Sequence, residues 1–174
     1  MKLNIKDFLQ SPDKKMEFSG KLEHQQSDYD ISNLNLIFPI EYRGIIFDLE
    51  SELLLDLSMN YKYNTHCDRC LKPLVKEQVS NLKGYFVKNS DMEYEDGADI
   101  QYFELCDGEI FLDDIIISQV ITSMPFKNLC DEFCKGLCPK CGKDLNEGLC
   151  GCEKTKDVDL RFEKLMNLFN DEEV

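Results

Sequence analysis

Basic side chains are the scarce class in this sequence. Twenty Lys and Arg stand against 34 Asp and Glu in 174 residues, a formal net charge of −14. A generally basic nucleic-acid-binding surface is therefore excluded. Tryptophan is missing, and only two histidines occur, His24 and His66. No apolar run approaches the roughly 20 residues that span a bilayer, so no membrane partner is expected. Met1 to Lys6 alternates and lacks the apolar centre of a signal peptide, which makes a cytoplasmic chain the expectation. Also missing are His-x3-His, Gly-x-Ser-x-Gly and the phosphate-binding Gly-x4-Gly-Lys-Ser/Thr. Neither an enzyme nor a small-molecule substrate is expected.

What remains is a chain with 43% hydrophobic residues, enough for one core, with or without a small satellite. Charge is uneven along it. Residues 61–88 are net +4, whereas 91–114 hold 10 acidic side chains and no basic one. That acidic run lacks the alternating ligand pattern of an EF-hand and reads as a solvated loop. Lys72, Lys76, Lys83 and Lys88, with Arg69, offer a small basic patch, which is weak ground for RNA contact.

The first 90 residues read as strands. Met16 to Glu23 alternates, and Asn35 to Tyr42 is a further candidate, with Arg43-Gly44 as a turn. The clearest signal is Leu53, Leu55, Leu57, Met59, Tyr61 and Tyr63 at every second position, a long strand with one wet face. Leu74 to Val87 suits a return strand, and Gln101 to Leu105 a short one before the Asp107-Gly108 turn. Asp113-Asp114 ahead of Ile115, Ile116, Val120 and Ile121 predicts a helix start, with a buried strand over 110–117 as the alternative. Pro125 ends that element. Phe162, Leu165, Met166 and Phe169 follow helical spacing and predict a closing helix that docks on the core. The expected fold is α+β, mainly an antiparallel β-sheet or partly open barrel with few helices and a C-terminal zinc-stapled module. The expected organisation is a β-rich core over 1–129, a cysteine module over 130–156 and the helix over 157–174.

Nine cysteines are the unusual count, and none falls in the first 66 residues. An odd number in a cytosolic chain argues against a disulfide framework. Cys138-Pro139-Lys140-Cys141-Gly142 puts two thiolates on one tight turn, and Gly142 tolerates the conformation this needs. Cys150 and Cys152 return close by, so four soft thiolates can hold a tetrahedral zinc. Cys67-Asp68-Arg69-Cys70 and Cys130/Cys134 are each half a site, and together they would make a second one. Two zincs are expected, one at minimum. Two alternatives stay open: Cys67 and Cys70 form a transient dithiol, or Cys130 and Cys134 enter the first site. Cys106 reads as a buried thiol. His66, beside Cys67, is an alternative ligand, though an exposed or hydrogen-bonding role is the expectation. Arg69, Lys72, Lys135, Lys140 and Lys143 flank the ligands and would offset thiolate charge from just outside the ligand sphere.

These residues carry a resemblance. Cys67-Asp68-Arg69-Cys70-Leu71 with Pro73 is similar to a hallmark of the YceD family, the large ribosomal RNA subunit accumulation proteins. So is Met124-Pro125, followed by Leu129-Cys130 and Cys134 through Gly142. Asp144-Leu145-Asn146 and Cys150-Gly151-Cys152 continue it. Asp159-Leu160-Arg161-Phe162 resembles the start of the family's closing helix, with Leu160 in place of the usual Pro. The resemblance runs from about residue 3 to residue 169. It implies a cytoplasmic bacterial protein, with plastid relatives, that supports 23S ribosomal RNA accumulation and large-subunit biogenesis without catalysis. It implies a ribosome-assembly factor, a ribosomal protein or a ribosomal RNA precursor as partner, and complementary charge would let an acidic chain hold a basic protein. Some members lack the second cysteine block, which points to the β portion as the active part. The competing readings are a zinc-bearing adaptor unrelated to RNA and a redox or zinc-sensing switch at Cys67 and Cys70.

Overall fold

Alternation sets the centre of the fold. A computed structural model describes residues 1–49, 52–87, 101–103, 105 and 107–152. In chain order the elements are β1 (Lys2–Asn4), α1 (Lys6–Gln10), β2 (Lys15–Leu22), a 3-10 turn (Ser32–Leu34), β3 (Leu36–Asp48), β4 (Glu52–His66) and β5 (Pro73–Val87). They continue with β6 (Gln101–Phe103), β7 (Glu109–Phe111) and α2 (Leu112–Ser123). On β4, Leu53, Leu55, Leu57, Met59, Tyr61 and Tyr63 are all buried, while Leu54, Asp56, Ser58 and Asn60 between them are half-exposed. A period of two with one apolar face is what a sheet covered on one side requires.

Five strands form one open sheet in the order β2-β3-β4-β5-β6. The first three pairings are antiparallel, and β5 to β6 is parallel. The sheet does not close, so the open alternative holds and the partly open barrel does not. A second sheet pairs β1 with β7. The inner face packs against Ile5 and Phe8 from the N-terminal turn and against Ile116, Ile117 and Val120 of α2.

Three expectations are revised. Arg43-Gly44 does not turn the chain, since β3 runs straight through it. Gly44 lies opposite Phe18 on β2, and a Cβ there would stand 2.3 Å from the Phe18 ring. The glycine is a seat for a cross-strand ring. Second, the helix-or-strand alternative at 110–117 resolves to both: β7 occupies 109–111 and α2 begins at Leu112. Asp113 and Asp114 lie in the first turn, where the helix N-terminus favours negative charge. Asp113 is buried, and its Oδ2 accepts the Gln26 N–H at 2.6 Å. Third, α1 (Lys6–Gln10) is too short to show a helical period, and no sequence signal announced it. The closing helix, most of the acidic run and Cys106 lie outside the described residues.

Candidate metal centres

The β4–β5 connection is a six-residue turn from Cys67 to Lys72 whose two cysteines face the same side. Cys67 N–H donates to the Lys72 carbonyl at 2.9 Å, and Leu71 N–H to the Cys67 carbonyl at 2.8 Å. Leu71 takes the left-handed conformation, φ +59°. The turn from Cys138 to Lys143 repeats this design. Cys138 N–H donates to the Lys143 carbonyl at 2.8 Å, Gly142 N–H to the Cys138 carbonyl at 2.9 Å, and Gly142 has φ +71°. The two turns build the same knuckle, one with leucine and one with glycine at the left-handed position.

Each knuckle meets a second cysteine pair. The Sγ atoms of Cys67, Cys70, Cys130 and Cys134 lie within 4.8 Å of one another, as do those of Cys138, Cys141, Cys150 and Cys152. In the first cluster the Cys67–Cys134 and Cys70–Cys130 sulfurs stand 3.7 and 3.6 Å apart. A disulfide needs about 2.04 Å, whereas the edge of a tetrahedral four-thiolate zinc site with Zn–S near 2.3 Å is about 3.8 Å. The donor set and spacing fit zinc.

Protein contacts hold the first cluster together. Asp68 N–H donates to the Asn128 carbonyl at 2.8 Å, and Asn128 N–H returns a bond to Asp68 Oδ2 at 2.6 Å. Arg69 Nη1 donates to the Cys134 carbonyl at 2.7 Å, and Leu137 N–H to the Arg69 carbonyl at 3.1 Å. Tyr63 Oη donates to Asn128 Oδ1 at 2.8 Å, and Lys76 Nζ to the Leu129 carbonyl at 2.6 Å. Gly136, at φ +75°, lies so close that a Cβ would stand 2.9 Å from the Arg69 carbonyl oxygen. Cys67, Cys70 and Cys134 are buried and pack with Leu74, Leu129 and Leu137. Cys130 is exposed, as is Cys141 in the second cluster.

The thiols are electrostatically uneven. Burial works to raise the Cys67 pKa, but N–H groups of Cys130, Cys70 and Arg69 outweigh it and lower it to about 6. Cys130 is pushed up to about 12 by the Cys134 and Cys70 side chains, with burial adding to them. In the second cluster the N–H groups of Cys141 and Lys140 bring Cys138 down to about 6. Cys152 is pushed up to about 12 by Cys141, burial and Cys150. Thiolates crowded this closely repel, and a soft divalent cation supplies the charge that offsets them.

Of the flanking cations, Lys72 is held charged first by Asp144 and also by the Cys70 sulfur, so it acts in part as expected. Arg69 serves backbone carbonyls, Lys72 ion-pairs with Asp144 at 3.0 Å, and Lys143 donates to the Leu149 carbonyl at 3.1 Å. Asn146 donates to a cluster sulfur from outside the ligands, its Nδ2 lying 3.4 Å from Cys134 Sγ. Its Oδ1 accepts the Lys135 N–H at 2.7 Å. The sequence places Asn146 in the Asp144-Leu145-Asn146 motif but assigns it no role, although an Asp two residues before an Asn beside a cysteine knuckle is a turn-forming signal. His66 is exposed and belongs to neither cluster. The basic patch dissolves as well: Lys72 and Lys83 pair with acids, Lys76 caps a carbonyl, and Lys88 lies outside the described residues.

Fold and clusters together define an α+β protein with an open sheet and two four-cysteine clusters positioned to coordinate a metal ion, in keeping with structural zinc. Among the described residues no helix is long and apolar enough to cross a membrane. The family model described as "Large ribosomal RNA subunit accumulation protein YceD" matches residues 55–169, a span that contains every cysteine of both clusters. The chain belongs to the YceD family, whose members are non-catalytic accumulation factors, and this ties it to ribosome biogenesis. The match begins at residue 55, so the resemblance read from about residue 3 extends further than the matched span. No curated protein and no solved structure matches the chain.

Proposed function

We propose that this chain is a non-enzymatic factor that supports accumulation of 23S ribosomal RNA and assembly of the large ribosomal subunit. Two structural zinc ions would be held, one by Cys67, Cys70, Cys130 and Cys134, the other by Cys138, Cys141, Cys150 and Cys152. The observation that carries this reading is the family match over residues 55–169, which includes both cysteine clusters. The zincs fix chain segments and take no part in a reaction, since four thiolates leave no open coordination position. Burial of Cys67 and Cys70 favours this closed site over a reactive dithiol, because a reactive thiolate needs access. On this reading residues 1–129 form the β-rich unit, and residues 130–156 form a cysteine module fastened to its β4–β5 turn. The partner is a ribosomal RNA precursor, a ribosomal protein or another assembly factor. Deleting the gene in its host tests the proposal. Mature large-subunit RNA should fall relative to small-subunit RNA and recover when the gene is returned. An unchanged ratio and unchanged subunit profiles would overturn it.

A further inference from the structure

The solvent-facing side of the main sheet carries an arrangement that the cysteines do not explain. Register sets Ser19 opposite Arg43, Arg43 opposite Ser58, and Ser58 opposite Asn81, across β2, β3, β4 and β5. With strands about 4.8 Å apart the row crosses the sheet for about 15 Å, and it lies about 30 Å along β4 from Cys67. The flanking rows are ionic and internally paired. Lys15 meets Glu17 at 2.5 Å and Lys83 meets Asp56 at 3.4 Å on one side. Lys21 meets Glu41 at 2.7 Å and Lys62 meets Glu77 at 3.6 Å on the other. Arg43 is the exception. Its guanidinium has no ion-pair or hydrogen-bond partner among the described residues, and the side chains of Ser19, Ser58 and Asn81 have none either.

All four line a depression of about 600 Å³. An adjoining one of about 340 Å³ shares Arg43 and Ser58 and adds Asn60. Asn60 Nδ2 donates to Glu77 Oε1 at 2.6 Å, which fixes the orientation of the amide. Its Oδ1 is then buried with no partner. A buried acceptor left this way calls for a donor.

We infer that this row binds a phosphate-bearing ligand of nucleotide size, and that the ligand is a nucleotide of a single RNA strand. The planar fork of Arg43 suits a phosphate, and two hydroxyls and an amide add neutral donors in line with it. The nearby carboxylates of Glu17, Glu41 and Asp56 are held by their own lysines, so they do not occupy Arg43. Asn60 lies diagonally across from Arg43, about 7–8 Å away. A bare phosphate offers no donor at that distance. A ribonucleotide does, through its 2′-hydroxyl or a base amino group. The volume falls within the range of small-ligand sites. A single unpaired cation is also compatible with the net charge of −14, because it grips one phosphate rather than tracking a backbone. The phosphate site stands on geometry alone. The choice of an RNA strand over a free nucleotide rests on the ribosome-assembly reading.

The test is fluorescence anisotropy of a labelled mixed-sequence RNA decamer with the full-length, metal-loaded chain. Uridine monophosphate, inorganic phosphate and an Asp/Glu-rich peptide serve as competitors. Binding should weaken about tenfold in Arg43→Ala, and Arg43→Lys should recover only part of the loss because the fork is gone. Affinity should fall with salt at a log–log slope of about 0.7, the value for one phosphate contact on a single strand. Unchanged zinc content and thermal unfolding of the variants show that the fold persists. RNA binding indifferent to Arg43, or displacement by the acidic peptide but not by the nucleotide, overturns the site. Nucleotide binding through Arg43 without RNA binding overturns the strand as its source. In cells the two proposals separate. If Arg43→Ala fully restores large-subunit RNA to the deletion strain, the site fails and the assembly role stands. If deletion leaves that RNA unchanged while the decamer still binds through Arg43, the reverse holds.

Discussion

The two cysteine clusters use the same knuckle but recruit their partners from different distances along the chain. In the first, the Cys67–Cys134 and Cys70–Cys130 contacts join residues 67 and 60 positions apart. In the second, all four cysteines fall between residues 138 and 152. Loop-closure entropy grows by about 0.6 kcal/mol per doubling, so the long loop costs on the order of 1 kcal/mol more to close. The first cluster is backed by protein contacts that offset this: the Asp68–Asn128 exchange, Arg69 on the Cys134 carbonyl, Lys76 on the Leu129 carbonyl, and three buried thiols. The second has one backbone bridge, Leu137 to Asp144, the bonds of its own turn, Lys143 on the Leu149 carbonyl and one buried thiol, Cys138. Asp144 and Asn146 tie it to Lys72 and to the first cluster. A metal site made from distant segments is part of the tertiary structure. One made from a short segment supplies the structure of that segment.

Breaking the first cluster should therefore have the larger effect. Cys67→Ser is expected to remove one of two zincs and release residues 126–137 from the β4–β5 turn. Its cost should exceed about 4 kcal/mol, the class of effect that loss of a metal produces. Native mass spectrometry gives the zinc count and hydrogen exchange gives the site of opening. Retention of two zincs would show that Cys67 is no ligand. Cys141→Ser should also remove one zinc, but the rise in exchange should be confined to residues 138–152, leaving the turn after β4 protected. Opening at that turn in Cys141→Ser would erase the distinction between the clusters and make them one cooperative unit.

Much of the sheet was legible because its signals are local. The alternation from Leu53 to Tyr63 needs no partner to be recognised, and β4 and β5 follow it. Gly44 was not legible. A glycine after an arginine reads as a turn until the ring of Phe18, 26 residues earlier, is known to lie over it. Asn146 was hidden for a similar reason. It lies between the cysteines of the second cluster, yet its amide donates to a sulfur of the first. Spacing shows which cysteines share a turn. It does not show which side chains from a neighbouring turn reach their sulfurs, because that depends on how two turns pack.

That crossing contact gives a finer probe of the comparison. Asn146→Ala removes the donor to Cys134 Sγ and leaves the Lys135 N–H without its acceptor. Outer donors of this kind are worth about tenfold in metal affinity at the low end. The loss should appear at the first zinc, measured by chelator competition, with the second unchanged. Asn146→Asp keeps an acceptor for Lys135 but sets an anion against a thiolate, so it should weaken the first zinc more than alanine does. Equal weakening of both zincs would show that the clusters share their stability.

The smallest expected effect tests whether the two knuckles are equivalent in their backbone. Leu71 and Gly142 occupy the same left-handed position, at φ +59° and +71°. A side chain there carries a steric cost of about 1–2 kcal/mol that glycine avoids. Packing does not offset it at position 71, since Leu71 is 63% exposed. Nor would a steric clash add to it at position 142, where a Cβ meets nothing within 4 Å. Gly142→Ala should therefore destabilise the second knuckle by about 1 kcal/mol through conformation alone. Leu71→Gly should stabilise the first by somewhat less, because glycine also loosens the unfolded chain. Thermal unfolding of the metal-loaded protein reads the first knuckle, and exchange of residues 138–152 reads the second. A destabilising Leu71→Gly would mean that the exposed leucine makes a contact of its own, and that the first knuckle is tuned for a partner rather than for its metal.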